Sequence, residues 1–277
     1  MPQKNTRGWN PIFRNKKIGT AHQGAKPRND FGIPSSWHDD RVFWERLQNP
    51  TAQTFSIDDH DFTVLIEPTL EDFKHYVSVT DLIEVIKHIP IAHRRDIKVF
   101  ALRQPKRKEF LHNQVWGRLG YWADFGQYSG VSVLIEAQPV NLAYKLDKKI
   151  STDFARELDL LRQEGHAIHA TKRRYEVSCP PMAIRNTQLF RTLLHEIGHY
   201  VDYISKVLSP AEQGLTDEAS LQEIYHSRPT KEREAFAERY AQDAIAVLRN
   251  KGIVPFEPMP MSPELLAKLD PNWFYAP

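Results

Sequence analysis

His195-Glu196-Ile197-Gly198-His199 constrains what this chain can fold into more than any other stretch. Two imidazoles four residues apart lie on one face of an α-helix. Such a face can grip one metal ion, with the intervening glutamate beside the ion's open position. Twelve histidines in the chain can produce the pentad by accident, so its surroundings have to agree with a helix, and they do. At about 100° per residue, Leu189, Phe190, Leu193, Leu194, Ile197, Val201, Ile204 and Leu208 fall within one arc, whereas His195, His199 and Asp202 gather on the opposite side. The fold must therefore bury one side of this helix and leave the other open to ligands. Gly198 is a poor helix former whose missing side chain suits a crowded metal site.

A catalytic zinc ion takes three protein ligands and keeps a fourth position for water, so another ligand has to come from elsewhere. Lys231 to Ala241 opens a second helix after Pro229, with Thr230 as its expected N-cap and Gly252 as its stop. Glu234 and Glu238 lie one turn apart on it and share a face with Ala241 and Ile245. Two carboxylates on a face of small and apolar residues are unusual unless that face meets positive charge. Glu234 is the expected third ligand. Glu238 is expected to accept the spare ring N–H of a ligating histidine, His195, and so fix its tautomer.

HEIGH followed by Tyr200-Val201-Asp202 and a distant Glu-x-Phe-Ala-Glu resembles the gluzincin clan of zinc metallopeptidases, most closely the catalytic domains similar to anthrax lethal factor. The resemblance covers about Leu189 to Ala241. It implies His195, His199 and Glu234 as zinc ligands, Glu196 as general base, and Glu238 and Asp202 as the partners that support the ligands. In that family a tyrosine shortly before the glutamate ligand stabilises the oxyanion. Tyr225 stands two residues further upstream than that tyrosine, and His226 competes for the role. Tyr225 can equally be a core aromatic of the short helix expected over Asp217 to Tyr225.

The implied chemistry is peptide hydrolysis: zinc lowers the pKa of water and polarises a carbonyl while Glu196 takes the proton and passes it to the leaving amine. Such clefts usually have a wall strand that pairs with the extended substrate. Gly130 to Ile135 and Arg173 to Ser178 are the two candidates.

A chain of 277 residues with ordinary apolar and charged fractions is large enough to fold around its own core. The single cysteine, Cys179, excludes an intramolecular disulfide and is expected to be buried in packing rather than to act as a nucleophile. No stretch is apolar enough to span a bilayer, and no classical signal is present. The expected location is cytoplasmic, or exported by another route. Up to Ser36 the sequence carries Lys4, Arg7, Arg14, Lys16, Lys17, Lys26 and Arg28 against Asp30 alone, although the whole chain is only +2. A solvated arm over residues 1–36 accounts for this. No nucleic-acid motif accompanies the charge, so the expected partner is a protein or peptide substrate rather than nucleic acid or membrane.

Between arm and metal helix, strands are expected at Phe62 to Ile66, Ile97 to Leu102 and Trp116 to Tyr121. Helices are expected at Thr80 to Lys87, capped by Thr80, and at Asp153 to Gln163, ending near Gly165. Ala167 to Ser178 returns in extended form. The pattern is α+β, zincin-like, with a mixed half over residues 37–150 and a mainly helical metal-binding region over 151–277, or one compact domain across 37–277. His166 and His169 read as structural, and His93-Arg94-Arg95 as a surface turn. After Gly252 a proline-rich tail is expected to run extended and bury Trp273, Phe274 and Tyr275.

The function these features imply is zinc-dependent endopeptidase activity. A noncatalytic, metal-stabilised interaction module is the main alternative, and it has no need of Glu196. An exported effector that cleaves a single partner protein is a third possibility.

Overall fold

The computed structural model describes residues 41–112, 115–148 and 151–275. The basic arm over residues 1–36 lies outside them. Two compact units are present, Met1–Arg46 and Leu47–Pro277. In the first, Arg41–Arg46 form a turn in which Glu45 accepts the backbone N–H of Val42 at 2.8 Å. Everything below concerns the second. Within it β8 (Ala143–Asp147) pairs with β10 (Arg174–Ser178), which joins stretches before and after residue 150 in one sheet.

Five strands form the main sheet, in the order β1 (Thr51–Ile57), β2 (His60–Ile66), β4 (Ile97–Arg103), β6 (Ser129–Glu136) and β5 (Gly117–Asp124). The β2–β4 and β4–β6 pairs are parallel, and the two outer pairs are antiparallel. Phe62, Val64 and Ile66 point to one face at the period of two that strands impose, and meet Phe100, Leu102, Val133 and Ile135 there. Short β3 (Phe73–Lys74) pairs with β7 (Gln138–Pro139), and β10 lies between β8 and β9 (Ala167–Ala170) in a third sheet.

Helix α1 (Val79–Ile86) closes the core beneath the main sheet with Val79, Leu82, Val85 and Ile86. Its cap is Ser78, not Thr80: Ser78 Oγ accepts Asp81 N–H and Asp81 reaches back to Ser78 N–H, a capping box that places Thr80 inside the first turn. Helix α2 (Ile91–Arg94) corrects the surface-turn reading. Arg94 is buried and donates to the Ile89 and Ile57 carbonyls and to Asp58, while His93 Nδ1 meets the Tyr240 hydroxyl at 3.0 Å. After α3 (Arg107–His112) come the strands already described and then α4 (Thr152–Glu164), which ends at Gly165 in the left-handed conformation, φ 101°.

One unbroken helical run carries the pentad. It comprises α5 (Pro181–Thr187), a wide π turn (Gln188–Thr192), α6 (Leu193–Tyr203), a second π turn (Ile204–Leu208) and α7 (Ser209–Glu212). Side chains near its start tie it to the rest. Arg185 grips Asp81 of the α1 capping box through two nitrogens at 2.9 and 2.8 Å, and Gln188 donates to the Glu136 carbonyl of β6 at 2.7 Å. The apolar arc read from the sequence faces the core: Leu189, Leu193, Leu194 and Ile197 are fully buried. Asp202 does not stay on the open side but is fully buried as well.

Helices α8 (Glu218–Ser227) and α9 (Thr230–Asn250) follow. The residue preceding α9 is Pro229, and Thr230 forms no cap bond, because Pro229 already holds the extended dihedral that an entry position needs. After α10 (Pro263–Leu266), the tail buries Phe274 and bridges it to His75, and Tyr275 stacks on Tyr76 as expected. No helix among the described residues is long and apolar enough to cross a membrane.

Candidate metal centre

His195 and His199 project from α6 with their rings nearly perpendicular, 4.6 Å between centroids. Glu234, in the second turn of α9, meets both: Oε2 lies 3.2 Å from His195 Nε2, and Oε1 lies 3.6 Å from His199 Nε2. Among the described residues this is the one group of three or more histidine, cysteine and acidic side chains close enough to share an ion. A tetrahedral ion with ligand bonds of about 2.1 Å separates neighbouring donor atoms by about 3.4 Å, and the two observed spacings bracket that value. Two imidazoles and one carboxylate therefore fit a divalent ion.

The rings are prepared for it. Burial lowers the pKa of His195 against the raising effect of Glu234, and burial together with the charge of His195 lowers that of His199 to about 4. Both are neutral near pH 7, which is the ligating form.

What brings α9 this close is Gly198. A Cβ there would stand 3.0 Å from both the Cα and the carbonyl oxygen of Ala237 and 3.1 Å from Tyr240 Cβ, so the missing side chain makes room for the partner helix rather than for the metal. Gly117 of β5 does the same on the other flank, where a Cβ would meet Thr192 Cγ2 at 2.6 Å and the Leu134 carbonyl at 2.8 Å. The edge of the sheet thus rests against the π turn and Glu196.

Glu196 lies half-buried between α6 and β5. Desolvation, followed by the charge of Glu234, pushes its pKa up to about 8, against the opposing pull of Arg118 and the Leu119 backbone N–H. A carboxyl that exchanges its proton near neutrality suits a group that must take and return one.

The strands nominated for the cleft wall are both interior: β6 lies between β4 and β5, and β10 between β8 and β9. The strand beside Glu196 is β5, which ends the order of the main sheet among the described residues. Its pairing with β6 shifts register between Gly120 and Ala123, and this bulge carries Tyr121 and exposed Trp122.

Tyr225 is a core residue. Only 1% exposed, it places its hydroxyl 3.0 Å from that of Tyr121 and donates to the His199 carbonyl at 3.4 Å. Its ring packs against Tyr121 and Tyr203. It is therefore unsuited to the oxyanion role in this geometry. His226, next along α8, is exposed and neighbours Tyr121 and Trp122. Arg233 is a further charged group at the site, with no role read from the sequence. Its guanidinium lies 5.8 Å from the Tyr225 ring centroid, its charge acts on His199, Tyr121 and His226, and its Nε is buried without a hydrogen-bond partner. A lone arginine beside a ligand glutamate is legible from sequence only once α8 and α9 are known to converge.

Of the two supporting acids, Glu238 acts on His195 through its charge, but its Oε1 accepts Gln242 Nε2 at 3.0 Å, and the expected bond from the imidazole is not formed among the described residues. Asp202 accepts Arg228 Nη1 at 2.8 Å, and its charge reaches His199. The structural readings of His166 and Cys179 are met. His166 is buried against Thr187, 2.8 Å away, and Cys179 is a buried thiol pushed up to about 12 by desolvation. No protein-family model, curated protein or solved structure matches the chain.

Proposed function

We propose that this protein is a zinc-dependent hydrolase of peptide bonds, similar to the gluzincins, in which His195, His199 and Glu234 hold the ion and Glu196 is the general base. The observation that carries this reading is the meeting of one carboxylate with two neutral imidazoles beside a second, half-buried carboxyl. A purely structural zinc site is closed by four protein ligands and gives no work to a carboxyl such as Glu196, whereas a hydrolytic site keeps one position open and needs a base there.

Bound zinc would supply Lewis acidity and a nucleophile at neutral pH. The chain's own residues supply the rest. Glu196, between β5 and α6, holds and returns the proton. β5 offers extended backbone at a sheet edge to an extended peptide, the strand-addition mode. Arg233, beside Glu234, is the cation closest in sequence to the ligands and a better candidate than Tyr225 for meeting developing negative charge.

The decisive experiment measures metal content and peptide hydrolysis in the wild type, Glu196→Gln and Glu234→Ala. Glu196→Gln should keep its metal and lose turnover by about 10²–10⁴-fold, whereas Glu234→Ala should lose most of its metal. Undiminished turnover in Glu196→Gln removes the proposed base. Unchanged metal content in Glu234→Ala removes the ligand set.

A further inference from the structure

Beside the metal-ligand triad, a cavity of about 360 Å³ opens between α4 and α9, with His195 and Glu234 at one end. That volume is at the small end of the range for ligand pockets, about 300–1,000 Å³. Leu160, Phe190, Ile245 and Val254 give it apolar walls.

Its charge is distributed unevenly. Arg191 is held by two acids: Nη1 spans both oxygens of Glu157 at 2.8 and 3.0 Å, while Nε and Nη2 reach Glu164 at 2.7 and 3.0 Å. All three of its nitrogens are thereby turned to carboxylates. Glu238 lines the cavity as well, so three carboxylates stand against the Arg191 guanidinium, an excess of two negative charges before Glu234 is assigned to the ion. Glu157 is 44% exposed, so its carboxylate is open to an incoming group. The other lining cation, Arg249, lies eleven residues beyond Glu238 (249 − 238), about 16 Å further along α9. At that distance it neutralises little of the metal-proximal end.

We propose that this cavity is a specificity pocket for a lysine or arginine side chain adjoining the scissile bond, its aliphatic stem on the apolar walls and its cationic head at the carboxylates of Glu157 and Glu238. The inference rests on the hydrolase reading above and deepens it. Long basic side chains are built for such a pocket, since they bury their methylenes while keeping the charge at a polar end. An acidic side chain would meet the carboxylates at the metal-proximal part of the cavity and a guanidinium already bonded to two of them.

Two measurements on the full zinc-loaded chain test it. Digestion of a random peptide mixture by the wild type, read by mass spectrometry, should show lysine or arginine enriched at one position flanking the cut. Fluorescence anisotropy with the uncleaving Glu196→Gln protein should show a lysine peptide binding about tenfold more tightly than its leucine analogue, with the difference shrinking as salt rises. Adding Glu157→Lys should abolish the preference while metal content stays unchanged, and the milder Glu157→Gln should reduce it. Cuts without basic enrichment, or equal binding of the lysine and leucine peptides, overturn the pocket assignment and leave the hydrolase reading standing. Complete absence of cutting and of peptide binding overturns both.

Discussion

Two charged clusters in the Leu47–Pro277 unit make opposite uses of the same residue types. In the sheet, Arg103 donates to both oxygens of Glu136 at 2.9 Å and to Glu109 at 2.6 Å, and Arg118 adds a bond to Glu136 at 3.0 Å. Two cations thus meet two carboxylates, and Arg103, Glu109 and Glu136 are almost wholly buried. At the metal centre, neutral imidazoles and two carboxyls converge, and Glu234 is half exposed. The first cluster is charge-balanced by protein alone. The second gathers two carboxyls at two imidazoles, an acidic surplus that the ion proposed above would offset. Balance, rather than the number of ionisable groups, separates a cluster that holds the fold from one built to receive something.

That contrast can be broken most directly by removing one partner from each cluster in metal-free protein and measuring urea unfolding. Arg103→Leu should cost about 3–5 kcal/mol, because buried Glu109 loses its guanidinium and Glu136 keeps only Arg118. Glu234→Ala should change stability by no more than about 0.5 kcal/mol, since it removes a half-exposed group and relieves its repulsion with Glu196. Equal losses would mean that the metal centre is as structural as the sheet network.

A smaller effect is expected from Gly198→Ala. Alanine gains about 1 kcal/mol of helix propensity, but the backbone of Ala237 cannot give way cheaply at 3.0 Å, and overpacking costs about 1–3 kcal/mol. The net should be a modest loss of stability, accompanied by a drop in zinc affinity of about tenfold as α9 and Glu234 are displaced. Retained affinity in isothermal titration would show that the helices tolerate a wider spacing.

The smallest effect concerns pH. The lowered pKa values of His195 and His199 mean that their neutral, ligating forms persist as pH falls, with proton competition at His199 beginning only towards its value of about 4. Zinc affinity should therefore fall by much less between pH 7 and pH 6 than the roughly tenfold expected for two histidines at the ordinary 6.5. A full tenfold loss would place both rings in solvent-like surroundings.

How much of this was legible beforehand follows from how local each signal is. The pentad declares itself because i,i+4 spacing fixes the relation of its histidines within one helix. Glu234 was readable because a carboxylate on a face with Ala241 and Ile245 needs an explanation. The role of β5 was hidden, since being at a sheet edge depends on which strands pair, and β5 and β6 have equally good strand sequences. Burial of Arg94 and Asp202 was equally opaque, for their partners Asp58 and Arg228 come from other elements. Tyr225 illustrates the limit in a different way: its place in the chain suggested the site, but its side-chain direction is set by the packing of α8 against α6.

The π turn at Gln188–Thr192 accommodates one more residue than an α turn would, just downstream of the anchors at Arg185 and Gln188. A turn widened in this way absorbs its extra residue within itself, so both imidazoles emerge at nearly the azimuth that an uninterrupted α-helix would give them. Deleting a single residue there would restore an α turn and leave the histidines aimed at α9, whereas deleting one in the α-helical stretch between this turn and His195 would swing them by about 100°.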